Sequence, residues 1–294
     1  MRSKLGIVIT FISLSISATE NTNIEFETQF KVQSNIELSV LTINIAHGRK
    51  TGSHQLLQST SKIRQNLMDV SRAVKDISPD IISLQEADGP SFWSGNFNHV
   101  EFIAKESGYA FFERGSHVDM TGLDYGTALI SKFPLINTKS IKYSSSFPVP
   151  PKGLLASEIS ILKGSDENNG KEIKVSLISL HLDPLRLKVR IQQIKRVLDY
   201  IKSISGPIIV MGDFNCEWSN SEDALAYLVE KSGLHIYQPD ADNLATYPAS
   251  GKRIDWILAS PDFEFISYNV INEPLSDHLA VFAKVRMRTS FFLQ

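Results

Sequence analysis

Cysteine and surplus positive charge are both scarce in this chain. Its one cysteine, Cys216, cannot form an intrachain disulfide, so the fold must rest on its hydrophobic core, where we expect Cys216 to fill space. The formal net charge is -2, whereas many nucleic-acid-binding domains are strongly basic. These absences exclude a disulfide-stabilised scaffold. They weigh against a nucleic-acid partner but leave room for a local basic groove.

No apolar run in the sequence is long enough to span a membrane comfortably, and the longest lies near the start. Arg2 and Lys4 precede an apolar stretch at residues 5–16, and the small residues Ser17 and Ala18 follow it. This order is typical of a secretory signal peptide, and the stretch is short for a membrane span. We expect residues 1–18 to be a signal peptide and the protein to be exported, either periplasmic or secreted. The alternative is an uncleaved N-terminal membrane anchor.

The rest of the chain has the composition of one globular domain. Hydrophobic residues make up 42% of the 294 residues and charged residues 21%. Residues 19–35 are polar and predict a flexible lead-in to a domain at residues 36–288. Removal of residues 1–18 would take away two cations and no acid, so the exported chain would have a net charge of -4.

Hydrophobic periodicity predicts more strands than helices. A polar stretch at residues 164–170 predicts a hairpin connection between two of the strands. Many short strands joined in this way indicate an α+β fold of mostly antiparallel sheets covered by helices. Strands are predicted at residues 36–45, 80–84, 125–131, 154–162, 172–182, 207–211, 254–259 and 279–287, and helices at 61–77, 187–201 and 221–231.

Four short segments place chemically active side chains at or beside the ends of predicted strands. Carboxylates are ligands that Mg²⁺ prefers, while acids and histidines can move protons and amides can hold phosphate oxygens. All four segments together predict metal-assisted hydrolysis of a phosphate ester. They are LQEAD with Glu86, SLHLD with His181, GDFN with Asp213 and Asn215, and SDH with Asp277 and His278.

Alternation along a strand predicts how some of these side chains point. Asp213 and Asn215 should face the same way and Phe214 the opposite way, into the core. An acid and an amide at one edge could activate a water and hold a phosphate oxygen. Asp255 begins the predicted strand before His278, and adjacent antiparallel strands would let Asp255 orient the His278 imidazole.

Two further features are expected near this edge. His47 and Arg49 belong to a small basic cluster, which would suit a phosphate or a head group. The alternative is a cluster that is simply solvated. The aromatic-rich segment DGPSFWSGNFNH, residues 88–99, directly follows Glu86 and could form either a substrate wall or a packed surface loop.

The complete series of motifs resembles the endonuclease/exonuclease/phosphatase superfamily over residues 36–287. This superfamily includes pancreatic-type deoxyribonuclease, abasic-site endonucleases and bacterial sphingomyelinases. In place of the small residue and proline that often follow GDFN in the family, this chain has Cys216-Glu217-Trp218. Besides the four segments above, the matching pieces are TINIAHG with Asn44, YGTALISKFPL, KGLLASEI, RIDWIL with Asp255, and SDHLAV.

The resemblance implies a four-layer α/β/β/α sandwich with the site at one edge of the paired sheets. It also implies a role for each matching residue. Glu86 and Asp277 would bind the metal, Mg²⁺ or Mn²⁺, with Asn44 close by. Asp213 would take the proton from the attacking water. The phosphate would be stabilised by Asn215, His181 and His278, with His278 held by Asp255.

Three functions fit these features. The first is an exported metal-dependent phosphodiesterase acting on a lipid head group or another small ester, which the signal and the acidic charge favour. The second is a secreted endonuclease acting on DNA or RNA, with the same chemistry. The third is a binding relative without catalysis, against which the intact set of site residues argues. We expect a monomer that needs no protein partner and binds a phosphate-ester substrate.

Overall fold

Twelve strands and four α-helices make up the described part of the chain. The computed structural model describes residues 36–52, 54–163, 171–218, 223–288 and residue 291. The predicted signal peptide, lead-in and hairpin connection, at residues 1–18, 19–35 and 164–170, lie outside these residues. None of the described helices combines the length and the apolar character needed to cross a membrane.

Each strand and helix predicted from periodicity is present, with bounds that differ by a few residues. The strands in chain order are β1 (Glu37–Asn44), β2 (Ile81–Asp88), β3 (Phe111–Met120), β4 (Leu123–Ser131), β5 (Ile136–Lys142), β6 (Gly153–Lys163), β7 (Lys171–His181), β8 (Ile208–Asp213), β9 (His235–Ile236), β10 (Asp255–Ala259), β11 (Phe263–Ile271) and β12 (Ala280–Met287). The helices are α1 (Thr60–Ile77), α2 (His99–Ser107), α3 (Leu187–Ile201) and α4 (Ala224–Ser232).

The strands form two six-stranded sheets. The first has the order β11-β12-β1-β2-β4-β3 and the second the order β5-β6-β7-β8-β10-β9. Each sheet contains one parallel pair, β1 with β2 and β7 with β8, and its other pairs are antiparallel. The predicted α+β fold of two mostly antiparallel sheets is therefore confirmed. Helices α1 and α3 make the crossovers that parallel pairing requires.

Periodicity did not predict four of the strands, β3, β5, β9 and β11. These are the strands at the two edges of each sheet. Edge strands lack the continuous apolar pattern of central strands because one side of each remains in solvent. In β5, for example, no residue is buried. Helix α2 was missed as well, because it begins at His99, where the aromatic-rich segment ends.

Alternating side chains divide the apolar residues into three layers. Val40, Ile81, Val175, Met211 and Ile257 belong to the layer between the two sheets. On the opposite faces of the same strands, apolar side chains pack against α1 and α2 on one sheet and against α3 and α4 on the other. This arrangement is the expected four-layer α/β/β/α sandwich.

Candidate active site

The layer between the sheets changes from apolar to polar at one edge. In β1 the residues that face this layer run from Val40 through Thr42 to Asn44, and in β7 they run from Leu177 through Ser179 to His181. Since a strand repeats every two residues, each of these series stays on one face. Polar side chains therefore converge where the parallel pairs of both sheets end.

A buried hydrogen-bonded group joins the two sheets just beneath this edge. Ser83 Oγ donates to Ser179 Oγ at 2.8 Å, and Gln85 Nε2 donates to Ser83 Oγ at 2.8 Å. All three residues are fully buried. These bonds hold the strand ends that carry Glu86 and His181 in a defined relation to each other.

Asp213 lies at the centre of the edge and is 1% exposed. Asn44 Nδ2 donates to its Oδ2 at 3.0 Å, and His181 Nε2 lies 3.2 Å from the same oxygen. Burial raises the pKa of Asp213, but His181 and His278 lower it more, to about 2. A side chain at Gly212 would overlap the carbonyl of Leu180, so glycine is needed to set Asp213 beside His181. The result is an ionised carboxylate in a closed setting.

His278 and Asp255 form a buried pair beside Asp213. His278 Nδ1 lies 2.9 Å from Asp255 Oδ2, as expected, and His278 Nε2 lies 3.9 Å from Asp213 Oδ2. Burial lowers the pKa of His278, but the carboxylates of Asp255 and Asp213 have the larger, opposite effect and raise the pKa to about 10. His278 is therefore protonated at neutral pH and can donate a hydrogen bond.

The route by which Asp255 reaches His278 differs from the expected one. Adjacent antiparallel strands were predicted, but β10 belongs to the second sheet and β12 to the first. The strand β11 lies between them in sequence and pairs with β12. The two side chains meet across the gap between the sheets, which brings the sheets together at the site.

His181 is held by a lysine that periodicity did not single out. Lys152 Nζ lies 3.4 Å from His181 Nδ1, and a lysine can only donate there, so the ring proton is assigned to Nε2, facing Asp213. Burial and Lys152 lower the pKa of His181 by more than Asp213 and Glu86 raise it. Alternation predicted that Asn215 faces the same way as Asp213, but β8 ends at Asp213 and the backbone φ of Asn215 is 51°, so strand geometry does not extend to it. The Asn215 backbone N–H donates to Asp213 Oδ1 at 2.9 Å, whereas its side-chain Nδ2 donates to the Leu182 carbonyl at 3.0 Å.

Glu86 lies on a bulge of β2 and is surrounded by cations. Its backbone φ is 50°, and the pairing with β4 shifts register beside it. His47 Nε2 lies 3.3 Å, Lys152 Nζ 3.4 Å and Arg49 Nη1 3.6 Å from its carboxylate oxygens. Burial raises the pKa of Glu86, but His47, Lys152, His181 and Arg49 together bring it well below its usual value. Glu86 is therefore a carboxylate whose charge is matched by protein cations.

Arg49 also reaches the second predicted metal ligand. Its Nη2 lies 2.5 Å from Asp277 Oδ2, so one guanidinium bridges Asp277 and Glu86. The third predicted ligand, Asn44, accepts a hydrogen bond from the Ala46 N–H with its amide oxygen and faces Asp213 with its amide nitrogen. The structure thus brings Glu86 and Asp277 together through Arg49 and places Asn44 on Asp213.

An aromatic group lines the other side of Glu86. His47 packs against Trp93 and Tyr125 with ring centroids 5.0 and 4.8 Å apart. Asp88 accepts hydrogen bonds from His47 Nδ1 at 2.6 Å and Trp93 Nε1 at 2.8 Å. Both ring nitrogens of His47 therefore face carboxylates. His47 could contact a substrate only if one of its nitrogens left its carboxylate partner.

Two groups of side chains at the edge could hold a metal ion. Asp213, Asp255 and His278 are all buried, and each offers one ligand atom within 4.8 Å of the others. Asp255 Oδ1 has no hydrogen-bond partner among the described residues. Glu86 and Asp277 form the second group, on the open side of the edge, where their side chains are 18% and 27% exposed.

Sequence reasoning did not assign roles to Lys152, Tyr247 or Asp88. Lys152 is only 9% exposed, and the Tyr247 ring packs on His278 with centroids 4.9 Å apart. A lysine inside an otherwise apolar strand start, KGLLASEI, was a usable signal, because lysine is rarely buried without a partner. Tyr247 lies in an irregular segment that has no periodicity to interpret.

Comparison with known proteins places this architecture in a family. Protein angel of Drosophila melanogaster is 25% identical over 231 residues, which cover 70% of this chain and 60% of that protein. An endonuclease/exonuclease/phosphatase from Beutenbergia cavernae matches with a TM-score of 0.65 at 18% identity, over 85% of this chain and 72% of that one. A mannosyl-6-phosphatase from Bacteroides thetaiotaomicron matches with a TM-score of 0.62 at 18% identity, over 84% and 99% of the two chains.

The family model for the endonuclease/exonuclease/phosphatase family matches residues 41–278, which confirms the resemblance seen in the motifs. Members of this family are hydrolases of phosphate esters, of phosphoesterase or nuclease type, and metal dependence is typical of them. The match spans both sheets and includes each site residue described above. The chain therefore belongs to the endonuclease/exonuclease/phosphatase family.

Proposed function

We propose that this protein is an exported, metal-dependent phosphodiesterase that acts on a lipid head group or another small phosphate ester. The observation that carries the proposal is the buried, ionised Asp213, held by Asn44 and His181 at 3.0 and 3.2 Å. A carboxylate fixed in this way is suited to take a proton from an attacking water.

The residues around Asp213 supply the rest of the chemistry. Protonated His278 can donate from Nε2 to a phosphoryl oxygen, and Asp255 keeps the ring in the orientation that this requires. Lys152 adds a second positive charge beside His181. Donors already in place where negative charge develops lower the barrier, because they need not reorganise during the reaction. Asn215 would join them only if its amide leaves the Leu182 carbonyl.

Glu86 and Asp277 are the pair that we propose as metal ligands. Both are on the open side of the site, and Arg49 now neutralises them together. In the buried group, a metal ion would have to displace the proton that His278 carries, because a metal-bound imidazole nitrogen is deprotonated. A Mg²⁺ or Mn²⁺ ion at Glu86 and Asp277 would polarise a phosphoryl oxygen. Arg49 would then be free to bind the substrate phosphate.

A small ester is the favoured substrate because the exported chain would carry a net charge of -4. A polyanion would be repelled by that charge except at local basic sites. The mannosyl-6-phosphatase from Bacteroides thetaiotaomicron, which shares the fold, is named for a small phosphate ester. We further propose that the enzyme works as a monomer without a protein partner.

The test is a substrate panel assayed with Mg²⁺ and with chelator. It should contain bis-p-nitrophenyl phosphate, sphingomyelin, phosphoinositides, plasmid DNA and RNA. We expect Mg²⁺-dependent hydrolysis of the first compound and of at least one of the lipids. Rapid cleavage of DNA or RNA with no lipid turnover would instead establish the nuclease alternative. No hydrolysis of any substrate would establish a binding protein without catalysis.

Export is a separate proposal, based on the apolar stretch at residues 5–16 between Arg2 and Ser17. If the signal is cleaved, N-terminal sequencing of the protein from its native host should find a chain that starts near Thr19. An intact Met1 on membrane-bound protein would identify an anchor. An intact Met1 on cytosolic protein would contradict export.

A further inference from the structure

Exposed apolar side chains are concentrated at the edge of the sandwich that carries the site. Nine large hydrophobic residues are exposed in the described part of the chain, and seven of them belong to loops or element ends at this edge. Single exposed apolar residues are ordinary, whereas a group of them at one edge marks an interaction surface. The seven are Leu56, Leu57, Phe92, Met120, Phe147, Leu185 and Leu187.

Four of these residues form the first flank, beside Glu86. Leu57 is 77% exposed, Leu56 71%, and Phe92 and Met120 63% each. Their segments are bonded to one another: the backbone N–H of Phe92 donates to the Gly122 carbonyl at 2.9 Å. The side chain of Gln55, next to Leu56, donates to the Trp93 carbonyl at 3.2 Å. The first flank is therefore one continuous surface and not three separate segments.

The other three residues form the second flank, beside His181. Phe147 is 89% exposed and Leu185 64%. Ser146 Oγ donates to Asp183 at 2.5 Å, which ties the Phe147 loop to the segment that follows β7. The first flank thus belongs to the loops of the first sheet and the second flank to those of the second sheet, and the candidate active site lies between the two sheets.

A basic cavity opens next to the second flank. It has a volume of about 540 Å³, and the described residues that line it include Lys142, Lys188 and Arg196 but no acid. Tyr143 also lines it, and the Tyr143 hydroxyl is buried without a hydrogen-bond partner among the described residues. This lining suits an anionic phosphate head group. Basic residues next to exposed apolar ones match the charge and the interior of an anionic bilayer.

We propose that the two flanks form a docking surface for an anionic phospholipid bilayer, with the basic cavity taking one anionic head group. The proposal rests on the proposed function, since docking in this orientation would present the active site to an ester in the membrane. It assigns the substrate class: the phosphate ester is a membrane lipid.

The test uses an environment-sensitive dye attached to single cysteines in the full chain. Leu57→Cys and Phe147→Cys report on the two flanks, and Ile266→Cys, on an exposed residue of β11, is the matched control. Cys216 is 6% exposed, so it should remain unlabelled, which dye incorporation into the wild-type protein checks. The N-terminal apolar stretch is the same in all variants. The probe is a vesicle of phosphatidylglycerol and phosphatidylcholine, compared with phosphatidylcholine alone.

We expect the emission at positions 57 and 147 to shift to the blue with the anionic vesicles, and no shift at position 266. Lys188→Gln and Arg196→Gln should each weaken vesicle binding by about fivefold, because a basic residue near an anionic surface contributes about that factor. Lys284→Gln, on an exposed residue of β12, should leave it unchanged.

An absent shift at positions 57 and 147, or an equal shift at 266, would overturn the docking surface. A blue shift that appears without vesicles as protein concentration rises would overturn it too, and would indicate contact between copies of the chain. Hydrolysis of soluble bis-p-nitrophenyl phosphate tests the proposed function separately. If it fails while positions 57 and 147 still shift, docking stands and the catalytic proposal falls.

Discussion

Replacement of Asp213 by asparagine is expected to lower turnover by about 10²–10⁴-fold, the usual effect of removing a general base. The amide keeps the size of the carboxylate, but it cannot accept a proton from water. Steady-state hydrolysis of bis-p-nitrophenyl phosphate at saturating Mg²⁺ measures the effect. Because Asp213 is buried between His181 and His278, the loss should appear in kcat rather than in KM.

Two controls separate lost chemistry from lost structure. Asp199→Asn changes an exposed acid on α3 in the same way and should retain wild-type activity. Circular dichroism and thermal unfolding should show that Asp213→Asn is folded. A folded Asp213→Asn variant with wild-type turnover would remove Asp213 from the role of base.

Removal of divalent metal is expected to abolish hydrolysis, and Mg²⁺ or Mn²⁺ should restore it. Oxygen ligands such as Glu86 and Asp277 suit both ions. Glu86→Gln and Asp277→Asn should each weaken Mn²⁺ binding by at least about tenfold. Even the loss of a residue that only hydrogen-bonds to a metal ligand typically weakens metal binding by about that factor. Isothermal titration calorimetry of the metal-free protein measures the affinity without reference to activity.

The same titration decides between the two groups of side chains. Asp255→Asn alters the buried group and leaves the open one intact, so Mn²⁺ affinity should change little. If Asp255→Asn weakens Mn²⁺ binding and Glu86→Gln does not, the ion belongs to Asp213, Asp255 and His278 instead. Full activity in excess chelator, with no metal found by elemental analysis, would contradict metal dependence altogether.

Central strands could be predicted from the sequence because both of their neighbours are strands and both of their faces are covered. In β8 the buried run from Ile208 to Asp213 is unbroken, and it predicts a strand that ends at a functional acid. An edge strand such as β5 carries no such pattern, because solvent replaces one neighbour. Periodicity thus identifies the interior of a sheet better than its borders.

The face on which Asp213 lies was likewise determined by the sequence, whereas Asn215, just beyond the strand with a φ of 51°, does not follow the alternation. Alternation assigns Asp213 to the same face as Met211 and assigns Phe214 to the opposite one, where it is fully buried. The ordered motifs added the family, which residues 41–278 confirm. These inferences need only local geometry and the order of residues along the chain.

Only the tertiary structure decided which of these residues meet. Asn44 and Asp213 are 169 positions apart in sequence and bond across the gap between the sheets. Asp255 and His278 meet across the same gap although their strands belong to different sheets. Arg49 bridges Glu86 and Asp277 only because β2 and the segment before β12 end at one edge. A strand's sequence determines its faces, but its partners are set by how whole sheets pack, and that depends on all the apolar surfaces at once.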